Sequence, residues 1–321
     1  MSRVLVTGAT GFIGSTLCEQ LAAAGYAVRA ALQSDRAVSA CIAEKVIMGD
    51  IASADLGLAV KGVDAVIHAA ARAHVLHDSP GNSDLYTQTN AHGTLRLAQA
   101  AAQAGVRRFI FLSSIKVNGE ETGRAYTADD RPSPQDTYGS SKWLAERALQ
   151  EVAARSGMEA VIVRPPLVYG PGVRANFLRL LHWVDHGWPL PLASVRNRRS
   201  LVSVWNLCDL LIRTLAHPRA GGGVWMVSDG VDLSTVELIR QLGTAMGRRV
   251  RLLPVPVVAL RAAAGMLGKA AEVERLCGSL FVDIGQTRRV LGWTPPLPAA
   301  EGVARTVGWY CRLRHSSTGH T

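Results

Sequence analysis

The chain has 321 residues, 48% of them apolar, enough for one large domain or for a domain with a smaller lobe around a sizeable core. Its formal net charge of +10 raises nucleic acid as a ligand, but Arg and Lys form no long run, and clusters such as RNRRS (196–200) are too short for a nucleic-acid arm. An anionic small ligand fits this balance better. The five cysteines, Cys18, Cys41, Cys208, Cys277 and Cys311, form no C-x-x-C pair and read as reduced thiols. No N-terminal stretch combines a basic region, an apolar run and a small-residue cleavage site, so a cytoplasmic protein is expected.

The first half alternates short β-branched runs with longer alanine-rich ones. RVLVTG (3–8), AVRAAL (27–32), KVIMGD (45–50), AVIHAA (65–70), FIFLSS (109–114) and AVIVRPP (160–166) read as strands. Residues 12–25, 87–105 and 138–157 read as helices, each ending at a glycine placed where a C-cap wants one. Strand, helix, strand at this spacing implies a doubly wound parallel sheet, because parallel neighbours need a crossover connection.

After Pro171 the pattern loosens into helices near 176–187, 206–217, 234–246 and 299–313, with short strands and proline-marked loops between them. The expected architecture is therefore α/β. Residues 1–171 form the dinucleotide-binding part and 172–321 mainly a smaller C-terminal substrate-binding lobe. Residues 201–229 return to the first part, since GGGVWMVSD (221–229) still looks like a sheet strand. The apolar stretch LLPVPVVALRAAAGMLG (252–268) is broken by Pro254, Pro256 and Arg261 and is too short to span a bilayer, which leaves peripheral membrane contact open.

VLVTGATGFIGSTL places Gly8, Gly11 and Gly14 between a strand and a helix. Glycine there lets the backbone approach a pyrophosphate, and the helix N-terminus beyond it presents N–H groups and positive partial charge. Tyr138 and Lys142, in YGSSK (138–142), are four apart at a helix start and so share a face. A free tyrosine with a pKa of about 10 is a poor acid or base at neutral pH, and a neighbouring cation changes that. Ser113 and Ser114 stand where a parallel strand ends, the side on which such sheets bind ligands.

The spacing G-x-x-G-x-x-G resembles the extended short-chain dehydrogenase/reductase family, as do GDI (49–51), HAAA (68–71) and YGSSK, so that the resemblance covers residues 3–312. It implies a Rossmann fold in which Gly8, Gly11, Phe12, Ile13, Gly14, Asp50, Ile51, Ala69, Ala70, Ala71 and Pro165 line the cofactor, with Asp50 at the adenine. It also implies Ser114, Tyr138 and Lys142 as the catalytic group. Ser114 would orient the reacting oxygen, Tyr138 would exchange its proton, and Lys142 would supply charge and hold the nicotinamide ribose; Ser113 would pack or cap. Asn90, in NAHGT, matches a family element or simply holds its helix.

The acidic position that would accept the ribose 2′-hydroxyl falls on Leu32, followed by Gln33, and no carboxylate occurs before Asp35. This favours NADP(H) over NAD(H), with Arg29 and Arg36 as candidates for the 2′-phosphate. RPPLVYGPGVRANFLRLL (164–181) and RNRRSLVSVWNLCDLL (196–211) resemble the members that modify nucleotide sugars. They put Asn176 and Phe177 at a helix receiving the diphosphate, Arg199 and Arg275 on that diphosphate, and Lys116 beside the sugar.

Dehydratases of the family carry an Asp-Glu pair where this chain has Ile115 and Lys116, which argues against dehydration. The resemblance points first to reduction of the 4-keto group of a UDP-4-keto-6-deoxy-N-acetylhexosamine for surface polysaccharide (O-antigen). A UDP-hexose 4-epimerase is the alternative, and a non-catalytic NADP-binding sensor is a third. The resemblance implies a homodimer through helices 87–104 and 139–155; Leu95, Leu97, Ala98 and Ala101 fit that use, and fit simple packing on the sheet as well.

Overall fold

The computed structural model describes residues 2–72 and 82–318. Seven strands form the main sheet: β1 (Arg3–Thr7), β2 (Ala27–Leu32), β3 (Glu44–Ile47), β4 (Ala65–His68), β5 (Arg108–Leu112), β6 (Glu159–Arg164) and β9 (Val224–Met226). Their order is β3-β2-β1-β4-β5-β6-β9, and every adjacent pair is parallel. A second, three-stranded sheet is built from β7 (Leu167–Tyr169), β8 (Arg199–Ser203) and β10 (Asp232–Leu233), in the order β10-β8-β7.

The helices are α1 (Phe12–Ala23), α2 (Gly57–Val60), α3 (Asn82–Tyr86), α4 (Gly93–Gln103), α5 (Thr137–Ser156), α6 (Ala175–Asp185), α7 (Val204–Ala216), α8 (Thr235–Met246), α9 (Val257–Met266), α10 (Ala270–Cys277), α11 (Gly285–Leu291) and α12 (Ala299–Thr318). A π-helical turn, Thr87–His92, joins α3 to α4, so the helix expected at 87–105 starts earlier and is interrupted.

Alternation along the strands sends side chains to two cores. Val4, Val6, Ile110, Leu112, Val161 and Val163 pack on the α1 and α7 side, while Leu5, Phe109, Phe111, Ala160 and Ile162 pack on the α4 and α5 side. A third core, with Phe177, Leu181, Ile239, Leu242 and Tyr310, lies among α6, α8 and α12. After β8, α7 packs against α1, and β9 becomes the last strand of the main sheet.

Strand order reverses between β1 and β4, which opens a crevice at their carboxyl ends, at Gly8 and at His68–Ala71. The expected dimer face needs correction. Leu97, Ala98 and Ala101 are fully buried in the chain's own core, where α4 packs on the sheet and against α5, so they have no surface to offer a partner.

Candidate active site

The cofactor cradle follows from the glycines. Gly8 has φ +71°, and a Cβ there would stand 2.9 Å from the Ala70 backbone nitrogen, so a larger residue would push β1 away from the end of β4. A Cβ on Gly14 would collide with the Gly8 carbonyl oxygen. Gly11 caps α1 with no side-chain hydrogen bond, and the first turn carries no acidic residue, so its amide dipoles suit an external anion. Phe12 and Ile13 are half-buried, Phe12 lying against Gly170 and Gly172 beyond β7. These features fit a dinucleotide pyrophosphate.

Beyond β3, exposed Asp50 accepts the Ala52 N–H at 3.0 Å through Oδ1, forming a turn. Ile51 is not a rim residue: its side chain is buried and fills the notch left by Gly93. Ala69, Ala70 and Ala71 lie at the end of β4, where the Ala70 N–H donates to Thr7 Oγ1 at 3.2 Å. Pro165 is buried just past β6, its carbonyl accepting the Ile115 N–H at 3.0 Å.

Leu32 is buried at the end of β2, Gln33 and Arg36 are exposed, and Asp35 is paired with Lys45 at 2.7 Å. Arg29 is excluded as a phosphate ligand. It is buried within β2, bonds Glu44 at 2.8 Å and caps α2 by donating to the carbonyls of Ala59 (3.0 Å) and Lys61 (2.7 Å).

The polar end of β5 resolves into separate roles. Ser113 Oγ donates to Glu146 Oε1 at 2.5 Å, inside a fully buried pair between Glu146 and Arg164, and Arg164 also donates to Asn118 Oδ1 at 3.0 Å. Ser114 caps the 3₁₀ turn Ile115–Val117, accepting the Lys116 N–H at 3.2 Å, and its hydroxyl hydrogen-bonds the Tyr138 phenol. Ser113 therefore belongs to the scaffold, and Ser114 faces the reactive group.

Helix α5 begins at Asp136, whose Oδ1 accepts the Gly139 N–H at 2.6 Å. Tyr138 sits in its first turn, edge-on to Tyr86 with ring centroids 6.3 Å apart. Burial, then the Asp136 charge, pushes the Tyr138 phenol well above its ordinary value, and the Ser114 bond opposes them. Burial pushes Lys142 down to about 7, its ammonium donating to the Leu112 carbonyl at 2.7 Å and lying 4.3 Å from the Phe111 ring centroid.

His68, Asp136 and Glu146 were given no role by the sequence. His68 bonds Thr7 at 2.6 Å and Thr94 at 3.0 Å, and burial, then Lys142, lowers it to about 3, so it stays neutral while tying β1, β4 and α4 together. Asn90, in the π-helical turn, brackets Arg72 by accepting its N–H at 2.8 Å and donating to its carbonyl at 3.1 Å, and it also bonds Ser141 at 3.0 Å. Its position next to Lys142 makes it a brace of the site rather than of its helix alone. Asp136, an acidic residue just ahead of a helix, was a legible capping signal; His68 and Glu146 were visible only as letters.

Lys116, expected beside the sugar, is engaged within the chain. Its ammonium is shared between Glu120, at 2.7 Å, and Asp136. Asp136 is lowered as a result: burial works against its charge, but Lys116 and the Gly139 N–H more than offset it. The expected diphosphate residues gather around α10. Asn176, in the first turn of α6, accepts from Arg179; Arg179 pairs with Glu272 of α10 at 2.8 Å; and Arg275 lies exposed on the same helix.

Arg199 caps the end of α10, donating to the carbonyls of Arg275 and Gly278 at 2.9 Å each, so one arm of its guanidinium is already engaged. Phe177 is a core residue stacked on Tyr169, with centroids 5.4 Å apart, and is not a diphosphate contact.

A family model described as "NAD dependent epimerase/dehydratase family" matches residues 4–228. A Vibrio cholerae protein named UDP-glucose 4-epimerase is 44% identical over 309 residues, covering 94% of both chains. The solved structure of MoeE5 in complex with UDP-glucose and NAD is 28% identical, covers 98% of this chain and 100% of that one, and superposes with a TM-score of 0.79. UDP-glucuronic acid 4-epimerase from Bacillus cereus, in complex with NAD, is 22% identical, covers 97% and 99%, also superposes at 0.79, and shares the fold. With this architecture, glycine cradle and Ser114-Tyr138-Lys142 arrangement, the chain belongs to the NAD dependent epimerase/dehydratase family, enzymes of the extended short-chain dehydrogenase/reductase type.

Proposed function

We propose that the protein moves hydride at C4 of a UDP-linked hexose, and that its net reaction reduces the 4-keto group of a UDP-4-keto-6-deoxy-N-acetylhexosamine made for surface polysaccharide. The observation that carries the reductive reading is the end of β2. Leu32 is buried, Gln33 bears no charge, and Asp35, the first carboxylate, is paired with Lys45, while Arg36 is exposed beside them. Nothing there repels a 2′-phosphate, which suits NADPH that exchanges on every turnover rather than an NAD retained through the cycle.

In this reading residues 1–171 hold the dinucleotide and the lobe of residues 172–321 holds the sugar nucleotide, with Arg199 and Arg275 at its diphosphate. The bound nicotinamide supplies the hydride. Tyr138, kept protonated by burial, donates its proton to the C4 oxygen, which Ser114 orients, and Lys142 holds the ribose. Dehydration is disfavoured because positions 115 and 116 supply no carboxylate: Ile115 is apolar and buried, and Lys116 is a cation paired with Glu120 and Asp136. The outward faces of α4 and α5, where Leu144 is exposed, would pair two copies.

One observation favours a second reading, a UDP-hexose 4-epimerase: the 44% identical Vibrio cholerae protein bears that name, and MoeE5 carries NAD. A single spectrophotometric assay separates the two. With UDP-4-keto-6-deoxy-N-acetylglucosamine, loss of NADPH absorbance is expected. No oxidation of NADPH or NADH, together with conversion of UDP-glucose or UDP-N-acetylglucosamine to its 4-epimer without added cofactor, would overturn the reductase. Tyr138→Phe should lower either activity by about 10²–10⁴-fold while leaving dinucleotide binding intact.

A further inference from the structure

Helix α9 is built the wrong way round for water. Its inner side rests on Ala264, the one buried residue in the helix, with Val257 and Leu260 half-covered. The side facing solvent carries Val258, Ala259, Ala262, Ala263 and Met266, and the helix's one polar side chain, Arg261, is also exposed and is paired with Glu274 of α10 at 2.8 Å. A helix on the surface of a soluble protein ordinarily turns polar residues outward, so this face is unpartnered.

The apolar surface continues past the helix. Segment 251–255 runs beside 190–193, through Leu190 N–H to Arg251 O (2.8 Å), Leu253 N–H to Leu190 O (2.8 Å) and Ala193 N–H to Leu253 O (3.1 Å). That places exposed Leu253 near the turn bearing Trp188. Of the twelve exposed large apolar side chains among the described residues, five belong to this region: Trp188 (56% exposed), Leu253 (48%), Val258 (77%), Met266 (83%) and Leu267 (72%). Such concentration is not the scatter of single apolar residues found on any surface.

Charge selects the occupant. From residue 248 to residue 269 the chain carries Arg248, Arg249, Arg251, Arg261 and Lys269 and no acidic residue. All five are exposed; Arg248 pairs with Asp185 at 3.5 Å and Arg261 with Glu274 at 2.8 Å, both acids lying outside the segment. An apolar face with an exposed tryptophan, in a segment that adds Arg249, Arg251 and Lys269 and no acid of its own, complements a surface that is apolar within and anionic at its boundary. No helix of the described residues is long and apolar enough to cross a membrane, so the contact would lie in the interface.

We propose that α9 and the Trp188 turn dock this protein peripherally on an anionic lipid bilayer. The test uses the full chain with vesicles of phosphatidylcholine alone and of phosphatidylcholine with 30% phosphatidylglycerol, read by co-sedimentation at low and high salt. The expected result is binding to the anionic vesicles, weakened by salt. The double variant Val258→Asp/Met266→Asp and the variant Arg249→Glu/Arg251→Glu should each lower it at least tenfold. Because these side chains are exposed, the unfolding midpoint and nicotinamide turnover should stay unchanged. Absence of binding, equal binding to the neutral vesicles, or equal binding by the variants would overturn the proposal. A concentration-dependent dimer of the parent that Val258→Asp/Met266→Asp converts to monomer, with no vesicle binding by either, would assign the face to a second copy instead.

Discussion

Lys116 and Asp136 are bonded across the mouth of the site, and Asp136 is at once the N-cap of the helix bearing Tyr138 and one of the charges that raise the Tyr138 phenol. Lys116 therefore sets both the position and the electrostatic surroundings of the proposed acid through its partner. Lys116→Met should lower kcat severalfold and move the alkaline inflection of kcat/KM upward, because an unneutralised Asp136 disfavours phenolate more strongly. Lys116→Arg should restore most of both. A rise in KM with an unchanged pH profile would show instead that Lys116 holds substrate. Asp136→Ala should cost about 1 kcal/mol of stability through the lost cap, measured by urea unfolding.

Glu146 and Arg164 form a pair buried completely between α5 and β6, and Glu146 also accepts from Ser113. Removing the carboxylate leaves a buried guanidinium without its counterion. Glu146→Ala should therefore destabilise the protein by about 3–5 kcal/mol in denaturant unfolding, whereas Ser113→Ala, which removes one neutral donor, should cost about 1–2 kcal/mol.

His68 sits at about 3 when folded against an ordinary 6.5, and Lys142 at about 7 against 10.5, burial being the main cause in both. Between each folded value and its ordinary one, the unfolded chain binds a proton that the folded chain does not. Stability must then rise with pH through pH 3–6.5 for His68 and pH 7–10.5 for Lys142, by about 1.4 kcal/mol per pH unit at the steepest. Urea unfolding across a pH series should show a shallower slope between pH 5 and 6.5 in His68→Asn than in the parent; parallel slopes would contradict the buried neutral imidazole.

Gly14→Ala tests the cradle directly. The added Cβ would collide with the Gly8 carbonyl, which belongs to rigid backbone, so the turn has to move. Dinucleotide affinity, measured by fluorescence titration, should fall at least tenfold. The unfolding midpoint should shift by less than in Glu146→Ala, since the change leaves no buried charge unpaired.

Much of the main sheet was legible because each strand is a short β-branched run closed by a turn. β2 spans Ala27–Leu32 as expected, the other strands of the first half stop short of their expected carboxyl ends, with β3, β5 and β6 each beginning one residue earlier, and the strand expected within 221–229 shrinks to Val224–Met226. The small helices α2, α10 and α11 were not legible, being four to eight residues long with little periodicity to detect. Arg29 shows the same limit at the level of a side chain. One letter reads equally as a phosphate ligand or a helix cap, and only the approach of the α2 carbonyls, about thirty residues away, makes it a cap.

The sequence by itself determined the α/β class, the glycine turn between β1 and α1, and the placement of Tyr138 and Lys142 one turn apart on a helix, because each is a local pattern whose spacing carries its geometry. Tertiary structure alone decided what those groups experience. Burial over Phe111 holds the Lys142 ammonium low, the α4 packing withdraws Leu97, Ala98 and Ala101 from any partner, and Lys116 is turned onto Asp136 twenty residues away. The physical reason is that solvation and charge are properties of neighbours, and the neighbours that matter here come from distant parts of the chain.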